Sequence, residues 1–437
     1  MTTITITTPG SHFLPEYTYL VKLIFKDWLD SKVRLIPGNQ GKWIVSCGEN
    51  SITFPNILFP EHSPRKFYDG EIIQRMIFPH KILGSDLIFP FGLDGGNDLS
   101  SIDILGSIFF FITCYEDTFF NRNEFNKTLA PKDSFAYKYS LHLRPFIEEM
   151  LVCLADYCRL NKIFFNIKKQ KYRLLYSCDI DVPAQWYKAS LSSLIRASLA
   201  AILKHKSLNR LHSIFSAYSS IEKDIFYTFP WIISKLNKYG LKGCFNLKGG
   251  VTCKKYDRYY DVTSTWIRDL LTLLTKNEQE IGFHPSYATP ENPNAFIREL
   301  KAVQDASPTS VIGGRQHYLR FTGSNTWRMW NRAGLKYDST IAFNRASGFR
   351  VGTAREFPVY DLIQREELRL SERPLIIMDG TLLGYENLSH QEAFDKACQF
   401  SHQIKKYGGN MTLLWHNSYL ETQEKRELFS QLLKYLS

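Results

Sequence analysis

Apolar positions along the chain change period more than once. Early runs have strand character, KWIVSCG from Lys42 and SITFPNILF from Ser51. A helix is expected from Ser100 to Tyr115. Another begins at Arg144, where Phe146, Met150, Cys153 and Leu154 recur at helical spacing. The basic stretch NKIFFNIKKQK then leads into YRLLYS, from Tyr172, which reads as a buried strand and runs into CDIDVP. A helical block is expected over roughly Trp186 to Leu208. After it, FPWIISKLNKYG predicts a helix stopped at Gly240, with a strand at Cys244 to Leu247. IRDLLTLLTKNEQEIGFH repeats that unit and ends at His284. TWRMWNRAGLKYDST repeats it again near Asp338. AFDKACQFSHQIKKYGGNMTLLWHNS closes the series.

Helices alternating with strands, with polar residues after each strand, mark a parallel α/β sheet or barrel. The predicted organisation is a smaller N-terminal α/β domain over residues 1–165, of unassigned role, and an α/β barrel over 166–437. No fixed-period repeat interrupts it. In such folds chemistry gathers where the C-terminal ends of the strands converge.

Composition narrows the class. The 437 residues are 44% hydrophobic, enough for real cores and unlike a disordered chain. No apolar run reaches 18 residues, so no membrane span is expected. The opening MTTITITTPG lacks the basic and apolar regions of a secretory signal, which favours the cytoplasm. The eight cysteines form no paired CxxC motifs, which argues against structural zinc; they read as small core residues in a reducing compartment. The net charge of +11 is spread out, with no nucleic-acid-binding signature. It suits peripheral contact with an anionic glycan or lipid surface instead. Nothing in the sequence indicates an oligomeric state.

The strand ends collect a chemical set. Asp179 and Asp181 follow one strand, and residues two apart share a face. His284 ends another unit. Arg315, His317 and Tyr318 lie in GGRQHYLRF, Asp338 and Ser339 in YDST, and Trp415, His416 and Asn417 in LLWHNS. Carboxylates with imidazoles suit a divalent ion such as zinc, in a site that keeps a position for water. Such an ion lowers the pKa of water towards neutrality. A second carboxylate can take the proton, and a separate histidine can protonate the leaving group.

In order, CDIDVP, IGFHPSY, RQHYLRF, YDST and LLWHNS resemble the motifs of NodB-homology polysaccharide deacetylases, over about residues 170–437. The resemblance implies a distorted (β/α) barrel that hydrolyses acetyl groups on bacterial surface polysaccharides or their precursors. It implies Asp179 as base, Asp181 and His284 as ligands of zinc (or cobalt, nickel or manganese), Arg315 as brace of the base and His416 as general acid. Tyr318, Asp338 and Trp415 fall where substrate would lie. The first region, with IFFFITCYED and FAYKYSLHLRPFIEEML, resembles the uncharacterised N-terminal domain of one bacterial branch of that family. Two positions depart from the pattern. Ala288 stands where a second metal histidine is expected, and His317 is the candidate to replace it. Ile180 separates two aspartates that are usually adjacent.

Other readings compete. LLYSCDIDV also fits haloacid-dehalogenase-type phosphatases, with Asp179 as nucleophile and Asp181 as acid/base, and IIMDGTLL echoes the motif. That class needs a late acidic pair, where this chain has WHN. An Asp-x-Asp glycosyltransferase lacks a nucleotide-sugar context. A non-catalytic barrel could bind a glycan or a partner. Locally, each aspartate could simply cap a turn. Trp266, Trp327 and Trp330 read as core, and Glu116 and Asp117 as a solvated turn.

Overall fold

The structure is a computed structural model that describes residues 3–120, 129–204 and 206–437. They form a mixed α/β chain of two compact units that do not follow a single cut in sequence. One unit gathers Met1–Arg173, Tyr318–Ile376 and Phe400–Met411. The other gathers Leu174–His317, Ile377–Gln399 and Thr412–Ser437.

In the first unit, strands Val33–Ile36, Ile4–Thr7, Lys42–Cys47 and Asn50–Pro55 form a sheet in that order. The last two are the hairpin that KWIVSCG and SITF predict, and it ends at Pro55 rather than continuing through NILF. Alternation buries Trp43, Val45, Ile52 and Phe54 on one face. The IFFF run forms a wholly buried helix, Ile104–Ile112. Asp103 caps it at Gly106 N–H and also accepts from the Ile57 and Leu58 amides. Rings of Phe13, Tyr17, Phe59 and Phe67 interlock against its Phe109.

Glu116 and Asp117 correct the expectation of a solvated turn. They are only 7% and 5% exposed. Glu116 accepts from Phe135 N–H and Ser134 Oγ, and Asp117 pairs with Arg350. Their partners lie beyond any local window, so two adjacent acids looked like surface.

In the second unit the strands run in the order Gly313–Gly314, Glu280–Phe283, Gly243–Leu247, Arg173–Ile180, Asn410–Leu414 and Ile377–Met378. The first four are mutually parallel, as are the last two. The register sets Ile180 beside Leu247, Leu247 beside Phe283 and Met378 beside Leu414. The strands therefore end level, and the residues that follow them fall side by side. Among the described residues no pairing joins the two ends of this series into a closed barrel. The predicted block from Trp186 to Leu208 is two helices instead. Leu191–Leu199 continues as a π-helix over Ala200–Lys204, and a second helix spans Leu208–Ser219, capped by Ser207.

Candidate metal centre

Asp179 lies inside its strand, buried to 2% exposure, because the end of that strand, Tyr176–Ile180, is covered on both faces. Its Oδ1 accepts from Asn246 Nδ2 at 2.7 Å and from Arg315 Nη1 at 3.0 Å. Arg315 Nη1 also reaches Ser177 Oγ at 2.9 Å. Gly282 makes room for this group: a Cβ there would collide with Asn246 Oδ1. Burial pushes the Asp179 carboxyl up, but Arg315, His284 and His416 outweigh it and hold its pKa below the usual range.

Asp181 follows the strand and keeps 31% of its side chain exposed. His284 Nε2 lies 3.2 Å and His317 Nε2 3.0 Å from its Oδ1. The other nitrogen of each ring is committed. His284 Nδ1 faces the Arg315 carbonyl at 2.7 Å, and a carbonyl can only accept, so Nδ1 carries the proton. His317 Nδ1 faces Asp257 Oδ1 at 2.9 Å. Each ring therefore turns its Nε2 towards a carboxylate oxygen. Acceptors facing one another at this distance need a proton or a cation between them. His284 Nε2 and Asp181 Oδ1 are otherwise buried without a hydrogen-bond partner.

The set fits a divalent ion. The three ligand atoms lie within 4.8 Å of one another. Two ligands on a tetrahedral zinc with bonds of about 2.0 Å stand about 3.3 Å apart, close to the 3.0 and 3.2 Å found here. Asp257 holds His317 as a second carboxylate behind a metal-binding imidazole does. It is itself held by the Thr252, Cys253 and Tyr287 amides. Burial disfavours a charged His317, but Asp181 and Asp257 outweigh it and raise its pKa. Burial likewise opposes ionised Asp181, yet His317 and His284 hold its pKa well below the carboxylate range.

His416 completes the group. Its Nδ1 lies 2.8 Å from Asp379 Oδ1, and its backbone N–H donates to Asp379 Oδ2. Nε2 is left pointing towards Asp181 Oδ2, 3.7 Å away. Burial lowers the pKa of His416, but Asp379, Asp181 and Asp179 together raise it to about 10.

The structure thus brings Asp179, Asp181, His284, Arg315, His317 and His416 together. Ala288 offers no ligand; its amide donates to Thr252 Oγ1. Trp415 corrects the expectation of a substrate contact. It is fully buried against Phe429, because alternation turns it into the core while its neighbour His416 faces the mouth. Tyr318 and Asp338 belong to the other compact unit. Tyr318 is 48% exposed and left-handed at φ 58°, and Asp338 is buried, accepting from the Thr340 amide. Sequence reasoning missed Asp257 and Asp379. Asp379 follows a two-residue strand, so the strand-end rule applied to IIMD would have found it. Asp257 sits in a loop and carried no such signal.

Comparison with known proteins adds little. A family described as one of unknown function (DUF7033) matches residues 4–164. No curated protein matches the chain. Among the solved structures that resemble it are two named as a putative and a probable polysaccharide deacetylase. The one from Mycobacterium smegmatis is 12% identical, covers 61% of this chain and 84% of its own, and gives a TM-score of 0.40. The one from Pseudomonas aeruginosa PAO1 is 11% identical, covers 62% and 88%, and gives 0.38. Likeness at that level carries no argument about this chain.

Proposed function

We propose that the second unit is a metal-dependent hydrolase that removes acetyl groups from a bacterial polysaccharide or its precursor. The observation that carries this reading is the convergence of His284 Nε2, His317 Nε2 and Asp181 Oδ1, with both imidazoles oriented from behind. The order of the strand-end motifs supports the same reading.

Asp181, His284 and His317 would hold the ion. A bound divalent cation supplies a Lewis acid for the acyl carbonyl and for a water molecule. The remaining roles belong to the chain. Asp179, kept ionised and oriented by Arg315 and Asn246, accepts the proton of the attacking water. His416, its Nδ1–H directed at Asp379, presents a protonated Nε2 to the departing nitrogen or oxygen. A raised pKa suits this role, because the proton is present at neutral pH. The phosphatase alternative gives Asp179 a nucleophile's role, which its burial against Arg315 and Asn246 does not favour.

Acetate release from a panel of N- and O-acetylated glycans tests the reading. The wild-type chain loaded with zinc should release acetate. Asp179→Asn should keep its metal and lose activity. If no acetylated glycan turns over while metal is bound, the second unit is a binding module and the hydrolase reading is wrong.

A further inference from the structure

Between the Asp181 strand and the helix Phe229–Lys238 lies a helical hairpin, Leu191–Leu199 with its extension and Leu208–Ser219. Its helices meet through Leu194, Ala201 and Ile214, with Leu211 packed against them. Its apolar residues do not stop there. Leu191, Ile195, Leu199 and Leu203, spaced by fours on another side of the first helix, are 72%, 51%, 50% and 73% exposed. Leu208 and Phe215 on the second are 80% and 53% exposed. Water-facing helices seldom carry an apolar stripe of this length.

Within the hairpin the formal charges have one sign. Residues 186–219 contain no aspartate or glutamate. Lys188, Arg196, Lys206 and Arg210 are all exposed. An amphipathic surface that joins large apolar side chains to unopposed cations suits the headgroup boundary of an anionic bilayer. The chain's net charge of +11 acts in the same direction. Among the described residues no helix is long and apolar enough to cross a membrane, so the contact would be peripheral.

The hairpin is rooted at the candidate centre. Asp224 accepts the Gln185, Trp186 and Tyr187 amides at 2.8, 2.6 and 3.0 Å. Asn417, the residue after His416, donates to the Val182 and Phe226 carbonyls at 2.9 and 2.8 Å. Both ends of the hairpin are thus tied beside the histidine that faces Asp181.

We infer that the 191–219 hairpin docks the protein on an anionic phospholipid surface. The leucine stripe would enter the headgroup boundary while Arg196, Lys206 and Arg210 meet lipid phosphates. The docking stands independently of the catalytic reading. Joined to that reading, on which this further step rests, it makes the substrate a glycan carried at the bilayer surface rather than a free oligosaccharide.

The test is co-sedimentation of the full chain with phosphatidylglycerol-containing vesicles and with pure phosphatidylcholine vesicles. Wild type should bind the anionic vesicles at least ten-fold more tightly than the neutral ones, and salt should weaken the binding. The variant Leu191→Ser/Ile195→Ser/Leu203→Ser/Leu208→Ser should bind at least ten-fold less, with an unchanged thermal transition because the replaced side chains face water. Arg196→Ser/Lys206→Ser/Arg210→Ser should lose the preference for anionic lipid. Failure of the wild type to sediment with anionic vesicles at low salt would overturn the inference. So would equal binding by the leucine variant. A concentration-dependent dimer that the leucine variant abolishes would give the stripe to a second copy and also overturn it. Metal binding and acetate release in detergent-free solution report separately on the catalytic reading.

Discussion

Two sets of carboxylates drawn away from water in this chain behave in opposite ways. In the first unit, burial dominates: it pushes Glu116 up to about 8 and Glu148 up to about 7, with hydrogen bonds and, for Glu148, above all the Arg355 guanidinium only partly opposing it. In the second unit Asp179 and Asp181 are also desolvated, yet their pKa values lie below the usual range, because a guanidinium and three imidazoles face them. The difference separates a packing solution from a centre built to hold charge. Glu116 spends its oxygens on an amide and a hydroxyl. Asp181 keeps Oδ1 without a hydrogen-bond partner, facing the Nε2 atoms of two imidazoles. Burial of an acid is weak evidence for function; lone pairs held open against one another are stronger.

That contrast can be broken at several points. The largest effect is expected from His416→Ala, which removes the proposed general acid and not the metal. Acetate release should fall by about 10² to 10⁴-fold while bound metal, measured by elemental analysis, is retained. Next comes Asp257→Asn, which leaves the ligands in place and loosens the orientation of His317. Metal affinity should fall by about 10 to 100-fold, read by competition with a chromogenic chelator. Proton competition sharpens the same point. Because Asp181 and Asp257 raise the pKa of His317, metal binding should weaken as pH falls through that raised value, at a higher pH than an ordinary imidazole near 6.5 would give.

A smaller effect concerns pH dependence at the alkaline end. An acid with its pKa at about 10 stays protonated through neutrality, so kcat/KM should hold its plateau well above pH 7. Asp379→Asn removes the main group that raises it, and the alkaline limb should then move towards neutral pH. The smallest effect belongs to the other carboxylate set. Glu116 folded binds its proton up to about pH 8, whereas the unfolded chain releases it near 4.5. Stability should therefore decline as pH rises between those values, by at most about 1.4 kcal/mol per pH unit. Glu116→Gln mimics the neutral acid. Denaturant titrations at pH 5 and 8 should show that slope reduced in the variant, with little change at pH 5.

Much of the second unit was legible in the chain. Helix–strand alternation located the strands at Cys244 to Leu247 and before His284 to within a residue or so, because buried parallel strands are short apolar runs stopped by polar residues. The same logic put Asp179, Asp181, His284, Arg315 and His416 at one edge, and the level register brings them together. Local sequence could not show what depended on distant partners. Asp257 is meaningful only once His317 folds onto it from 60 residues away. Glu116 and Asp117 looked solvated because Arg350 lies 233 residues from Asp117. Trp415 failed for a simpler reason: neighbouring strand-end residues point to opposite faces, and only one of Trp415 and His416 could face the mouth.

Metal content tests the central claim most directly. The protein should be purified without chelator or affinity metal and compared with Asp181→Ala and His284→Ala by elemental analysis, before and after adding zinc. The account predicts about one equivalent of zinc or a similar ion in wild type and loss of it in both variants, with folding intact by circular dichroism. A wild-type chain that holds no metal even after zinc is added would contradict it, as would variants that bind as much as wild type.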